Sequence, residues 1–108
     1  MKLKNAFSDD TRQLFWEARY RCWRCKGNGT TCGGIELHHI TGRDSSSPFN
    51  AAPLCKLCHS VVGHTDKEEQ LYFRLTMEYL WGKTTVTKED EAFMLAHPHL
   101  LINLPVYT

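Results

Sequence analysis

Apolar residues first recur at helical spacing near the start of the chain, where Leu14, Phe15, Ala18 and then Cys22 share one stripe. The pattern predicts a helix over 9–21, with Ser8 or Asp9 as the N-cap and acids in its first turn. Arg12 and Arg19 lie off that stripe. Four glycines in the nine positions 26–34 oppose regular structure and predict a loop. The short apolar run from Ile35 to Ile40 predicts a strand that ends on two adjacent histidines. Residues 41–52 are rich in glycine, serine and proline and read as a loop. A short strand or turn through Pro53 and Leu54 then leads into a helix starting near Cys55.

The second half is more plainly helical. Thr65-x-x-Glu68 has capping-box form, which predicts a helix from 66 to about 81 with Gly82 just past its end. Leu71, Leu75 and Tyr79 form one apolar stripe of that helix, and Phe73, Met77 and Leu80 or Trp81 form another. Only Gln70, Arg74 and Glu78 make a clean polar line. A helix apolar over most of its circumference is sandwiched in the domain or shared with a partner. In a short chain the sandwich is the expectation, with a homodimer as the alternative. Thr87-x-x-Asp90 opens a last helix to about His97, which Pro98 closes. The apolar tail to Thr108 is expected to dock on the body, and His97 and His99, distant along the chain, to be structural.

Composition narrows the class. A chain of 108 residues is read as one domain with a single small core. The start reads as leaderless, and no run of about 18 apolar residues exists to span a membrane. Five cysteines then point to a reducing, cytoplasmic setting, where paired thiols more often hold metal than form disulfides. Net charge is only +1, too small to argue for nucleic acid from the total. Its distribution is uneven: residues 1–31 carry seven Lys and Arg against three acids, and residues 65–96 carry four against seven. A basic face for DNA and two ordinary solvated faces both fit that asymmetry.

Two CxxC pairs, Cys22 with Cys25 and Cys55 with Cys58, stand about 30 residues apart. Two-residue gaps let both sulfurs of a pair reach one ion at the roughly 2.3 Å that zinc prefers. A closed shell of four thiolates leaves no open position, so this zinc is expected to be structural. Cys32 stands outside both pairs and reads as a partly buried free thiol. Between the pairs lie His38 and His39, adjacent on a strand and therefore directed to opposite sides, followed by Asn50 and, just after the last cysteine, His59.

In type, order and spacing, Leu37-His38-His39-Ile40, Asn50 and Leu54-Cys55 to His59 resemble the HNH nuclease motif of the ββα-metal, or His-Me finger, class. The upstream cysteine pair is similar to that of the zinc-bearing subset, and His-His-x-x-Gly-Arg to small phage-type HNH proteins. The likeness covers roughly residues 20–64. It implies that His39 is the general base that activates water, and that His38 and His59 ligate a divalent metal. It also implies that Asn50 holds the loop and orients His39. A base needs a pKa near the working pH, which histidine supplies. Charge at phosphorus and at the leaving oxygen needs a cation, which one metal supplies. Where the family commonly has Asp this chain has His38, which shifts preference from Mg²⁺ toward Mn²⁺, Ni²⁺ or Zn²⁺. Arg43 is placed to touch a phosphate or to stay solvated. His64 is open to the metal site, a phosphate, or a capping or solvent role.

The expectation is therefore an α+β domain: a ββα-metal core stapled by a four-cysteine zinc site and flanked by helices. As the resemblance implies, it would hydrolyse DNA to 5′-phosphate and 3′-hydroxyl ends. A zinc-ribbon DNA-binding or assembly module without catalysis is the competing reading. A third is a nuclease subunit of a phage recombination or packaging complex, acting in the host cytoplasm.

Overall fold

Every residue of the strand Ala51–Cys55 is buried, and the rest of the domain is arranged around it. The computed structural model describes residues 4–16, 21–27 and 34–102. Ala18, Arg19, Cys32 and the tail beyond 102 lie outside the described residues. Within the described residues, α1 runs Asp9–Trp16, β1 Ile35–His39, β2 Ala51–Cys55, α2 Lys56–Val61, α3 Asp66–Leu80 and α4 Lys88–Ala96. Short 3-10 turns precede β2 at Pro48–Asn50 and follow α4 at Pro98–Leu101. Those residues make a small α+β domain with a two-stranded sheet, four helices and a cysteine cluster.

β1 and β2 pair antiparallel, with Ile35 opposite Cys55, His38 opposite Ala52 and His39 opposite Ala51. The register sets the end of β1 that carries the double histidine beside the start of β2. It also sets the first strand's entry beside Cys55. β2 has small residues at 51 and 52, which lets other elements close on it. Thr76 of α3 donates its hydroxyl to the Ala51 carbonyl at 2.7 Å, and the Trp23 N–H reaches the Pro53 carbonyl at 3.0 Å. Burying both groups of the Thr76 bond is tolerable because each satisfies the other.

α3 is partly the sandwich its pattern suggests. Tyr72, Phe73, Thr76, Met77 and Leu80 are buried, with Leu75 and Tyr79 half-buried, while Leu71 and Trp81 stay exposed. The stripe through Phe73, Met77 and Leu80 meets the core, where Ile40, Leu54 and Leu100 are also fully buried. Leu100 is the point at which the chain after α4 docks.

Caps explain where the helices begin. Thr65 accepts from the Glu68 N–H at 3.2 Å, but the Glu68 carboxylate reaches back to the Gly63 N–H at 2.6 Å instead of closing a box on Thr65. A Cβ at residue 63 would meet the Glu68 oxygens at 3.0 and 3.1 Å, so this bond favours glycine there. α4 has the full box: Thr87 accepts from the Asp90 N–H, and Asp90 accepts from the Thr87 N–H at 2.9 Å. Asp90 also accepts the Ser47 hydroxyl at 2.6 Å while only 3 % exposed, which ties the loop before β2 to the last helix. Among the described residues no helix is long and apolar enough to cross a membrane.

Candidate functional site

The four cysteines of the two CxxC pairs come together, with all four sulfurs within 4.8 Å of one another. A tetrahedron with metal–sulfur bonds of about 2.3 Å has edges of about 3.8 Å, and the Cys25 and Cys55 sulfurs stand 3.9 Å apart. A disulfide would need about 2.0 Å. Each pair is built as a knuckle, with the Cys25 N–H directed at the Cys22 sulfur at 3.4 Å and the Cys58 N–H at the Cys55 sulfur at 3.3 Å. Lys26 takes a left-handed φ of 65° to turn the first knuckle. Cys22 is buried in the core, as its stripe position implies, but Arg21 and Cys22 are not helical. Burial pushes the Cys58 thiol up to about 12, against the Arg24 guanidinium that touches its sulfur at 3.5 Å. Burial also opposes ionisation of Cys22, but backbone N–H groups of the knuckles bring it below the usual thiol value. A cluster of thiols, three buried and Cys25 exposed, becomes a set of thiolates when a cation compensates them, so the site can hold a structural metal ion such as zinc.

His38 is 4 % exposed, and its Nε2 is a buried nitrogen with no hydrogen-bond partner. Its neighbours are two more histidines, His59 with ring centroids 5.2 Å away and His64 at 5.1 Å. Both have Nδ1 engaged: His59 Nδ1 donates to the Glu36 carboxylate at 2.9 Å, and His64 Nδ1 to the Ile40 carbonyl at 2.8 Å. With the donated proton on Nδ1, the neutral form of each ring has its lone pair on Nε2. Outward donation from Nδ1 to a carboxylate or carbonyl is how metal-ligating histidines are oriented. Burial, and then the neighbouring His59 and His64, lower His38 to about 3, so it stays a neutral lone-pair donor. The three rings thus meet around the unpartnered His38 Nε2, though their nitrogens are not gathered within 4.8 Å of one another as the four sulfurs are.

His39 faces a different set of partners, as strand alternation requires. Its Nε2 donates to the Asn5 carbonyl at 2.7 Å, and its ring stacks on Phe7 at 4.0 Å and 15°. The proton on Nε2 leaves Nδ1 as the acceptor. Burial lowers its pKa, with the Asn5 bond acting the other way, so the ring favours its neutral, basic form. His38, His39, Arg43, His59 and His64 together line a cavity of about 210 Å³.

Asn50 is fully buried and its amide is saturated. Its oxygen accepts from the Thr41 N–H at 2.9 Å and the Thr41 hydroxyl at 3.1 Å, and its nitrogen donates to the Gly42 and Ser45 carbonyls at 3.1 and 3.0 Å. Asn50 therefore holds the loop, while His39 is oriented by Asn5 and Phe7 and not by the Asn50 side chain. Arg43 is bound to the same N-terminal segment, donating to the Lys4 carbonyl at 3.1 Å while its own carbonyl accepts from Asn5 Nδ2 at 2.7 Å.

His97 and His99 reach the motif despite their distance along the chain. His97 Nε2 lies 2.7 Å from Asp44, and His99 Nε2 lies 2.6 Å from Glu69, whose other oxygen is 3.4 Å from His64 Nδ1. Asp66, Glu69 and His99 also have ligand atoms within 4.8 Å of one another. Glu36 was open to detection from sequence, because it shares a strand face with His38 two residues on. Asn5 and Phe7 were not, since they meet His39 across more than 30 residues of non-periodic sequence. No family model, curated protein or solved structure matches the chain.

Proposed function

We propose that this protein is a metal-dependent endonuclease that hydrolyses DNA phosphodiester bonds, as the HNH-like order of its residues implies. The observation that carries the reading is the orphaned Nε2 of His38, buried between two histidines whose Nδ1 protons are directed elsewhere. A buried polar atom without a partner is costly unless something binds it. A non-catalytic zinc module needs the four cysteines alone and gives that nitrogen no purpose.

His38 and His59, with His64 beside them, are the residues that would hold the divalent metal. That ion would supply positive charge to the phosphate and the leaving oxygen. Three imidazoles favour Mn²⁺, Ni²⁺ or Zn²⁺ over Mg²⁺. His39 takes the proton of the attacking water at Nδ1, held in that tautomer by the Asn5 carbonyl. Arg43, on the wall of the same cavity, contributes charge toward a phosphate oxygen through the guanidinium nitrogens not used on Lys4.

Nicking of supercoiled plasmid by purified protein with Mg²⁺, Mn²⁺, Ni²⁺ or chelator tests the reading. His39→Ala should lower nicking at least about 10²-fold while DNA binding, which rests on phosphate contacts, persists. His38→Ala should lose the exchangeable metal and keep the cysteine-bound one. Absence of nicking by the wild type with every metal would favour the binding module instead.

A further inference from the structure

A second cavity, of about 450 Å³, shares His39, His59 and Arg43 with the smaller one but differs in character. Its walls are mostly apolar, including Phe15, Trp16, Leu37 and Pro53, and they are flanked by the cations Arg12 and Arg43. Glu36 also lines it, with its charge engaged by His59. We propose that this cavity receives one unstacked nucleobase of a single-stranded or frayed DNA segment, with the flanking phosphates on Arg12 and Arg43. The substrate class rests on the nuclease reading above.

Three features favour that occupant. Arg12 and Trp16 are four residues apart on α1 and so lie on one helix face, which puts an aromatic surface and a guanidinium along a single strip. Trp16 lines the cavity and is 59 % exposed. Apolar walls between two cations suit a polymer that alternates flat apolar rings with phosphates, and suit an apolar peptide poorly. A duplex cannot use such a pocket, because its bases are stacked inside and must leave the helix to enter one. A single strand offers its bases freely and gains from each aromatic platform. The shared wall at His39 then brings the neighbouring phosphodiester to the hydrolytic groups.

Binding can be read apart from cutting. Fluorescence anisotropy with the full zinc-loaded chain, without added divalent metal, would compare three probes. These are a labelled oligothymidylate, the same strand carrying abasic residues, and a blunt hairpin duplex. The intact single strand should bind roughly 5-fold or more tighter than the abasic one. Trp16→Ala should erase that difference and Trp16→Phe retain much of it, with zinc content and circular dichroism unchanged. Arg12→Gln should weaken all single strands and lower the salt slope by about 0.7. Equal binding of intact and abasic strands would overturn the proposal, as would a duplex that binds more tightly than either or an inert Trp16→Ala. Plasmid nicking together with base-independent binding would refute the pocket and spare the nuclease. Base-dependent binding by a chain that cuts nothing would refute the nuclease and spare the pocket.

Discussion

Replacing Asn50 by alanine should cost this domain a large share of its stability, because one buried amide closes the whole 41–45 loop. The side chain accepts from two groups of Thr41 and donates to the carbonyls of Gly42 and Ser45, at 2.9 to 3.1 Å. Alanine leaves the Thr41 N–H and the Gly42 and Ser45 carbonyls to find water or go unpaired around a site that is 0 % exposed. A buried group left unsatisfied costs about 1–3 kcal/mol. The Thr41 hydroxyl keeps its 2.7 Å bond to Asp44, and the loop surface can admit water, so only part of the maximum applies. A loss of about 3 kcal/mol follows, against a total of about 5–15 kcal/mol for a domain. With a urea dependence of roughly 1.5 kcal/mol per molar, the unfolding midpoint should fall by about 2 M. Asn50→Asp should do comparable damage, because it keeps the acceptor but turns an anion toward two carbonyls. Equilibrium urea unfolding of zinc-loaded protein measures both variants. A midpoint shift below about 0.5 M in Asn50→Ala would refute the account of the loop.

Cys55→Ser should reduce tightly held zinc well below one ion per chain and unfold or aggregate the protein, and a soluble, stable, zinc-free variant would remove the structural-metal claim. Burial holds His38 down to about 3, so between the free value of about 6.5 and that point the unfolded chain binds the extra proton. Protein that keeps its cysteine-bound zinc but has no metal at the histidines should therefore lose stability as pH falls through this window, by up to about 1.4 kcal/mol per unit. His38→Asn should flatten the dependence, and parallel curves for the two proteins would contradict the assignment. Phe7→Leu keeps an apolar side chain but removes the ring stacked on His39. Nicking should fall roughly tenfold, within the 10²-fold that an ångström of misplacement can cost.

What could be read from the sequence was local or set by simple parity. The starts of α3 and α4 follow from Thr65 and Thr87, whose hydroxyls cap them. The cysteine cluster follows from two-residue spacing, and the divergence of His38 and His39 from strand alternation. The length of β2 was not legible, because Ala51 and Ala52 carry no alternation and become strand only by pairing with His39 and His38. Glu68 shows how a local rule gives way to a nearby glycine that admits its carboxylate. The partners of His39, Asp44 and Glu69 were illegible for another reason. They come from residues 5 and 7 on one side and 97 and 99 on the other, and no periodicity links such distant positions.

The stitching of the histidine-bearing loop to the last helix also bears on timing during synthesis. Ser47 waits for Asp90, and Asp44 for His97, the latter a separation of 53 residues. A ribosome delivers the chain from its N-terminus at about 5–20 residues per second, so the loop emerges seconds before the groups that secure it. The cysteine cluster needs nothing beyond Cys58 and can assemble first, as an early foothold. The loop beside His39 reaches its final form only after His97 has emerged. A nascent chain would thus carry a folded cysteine cluster well before it carries a finished histidine cluster.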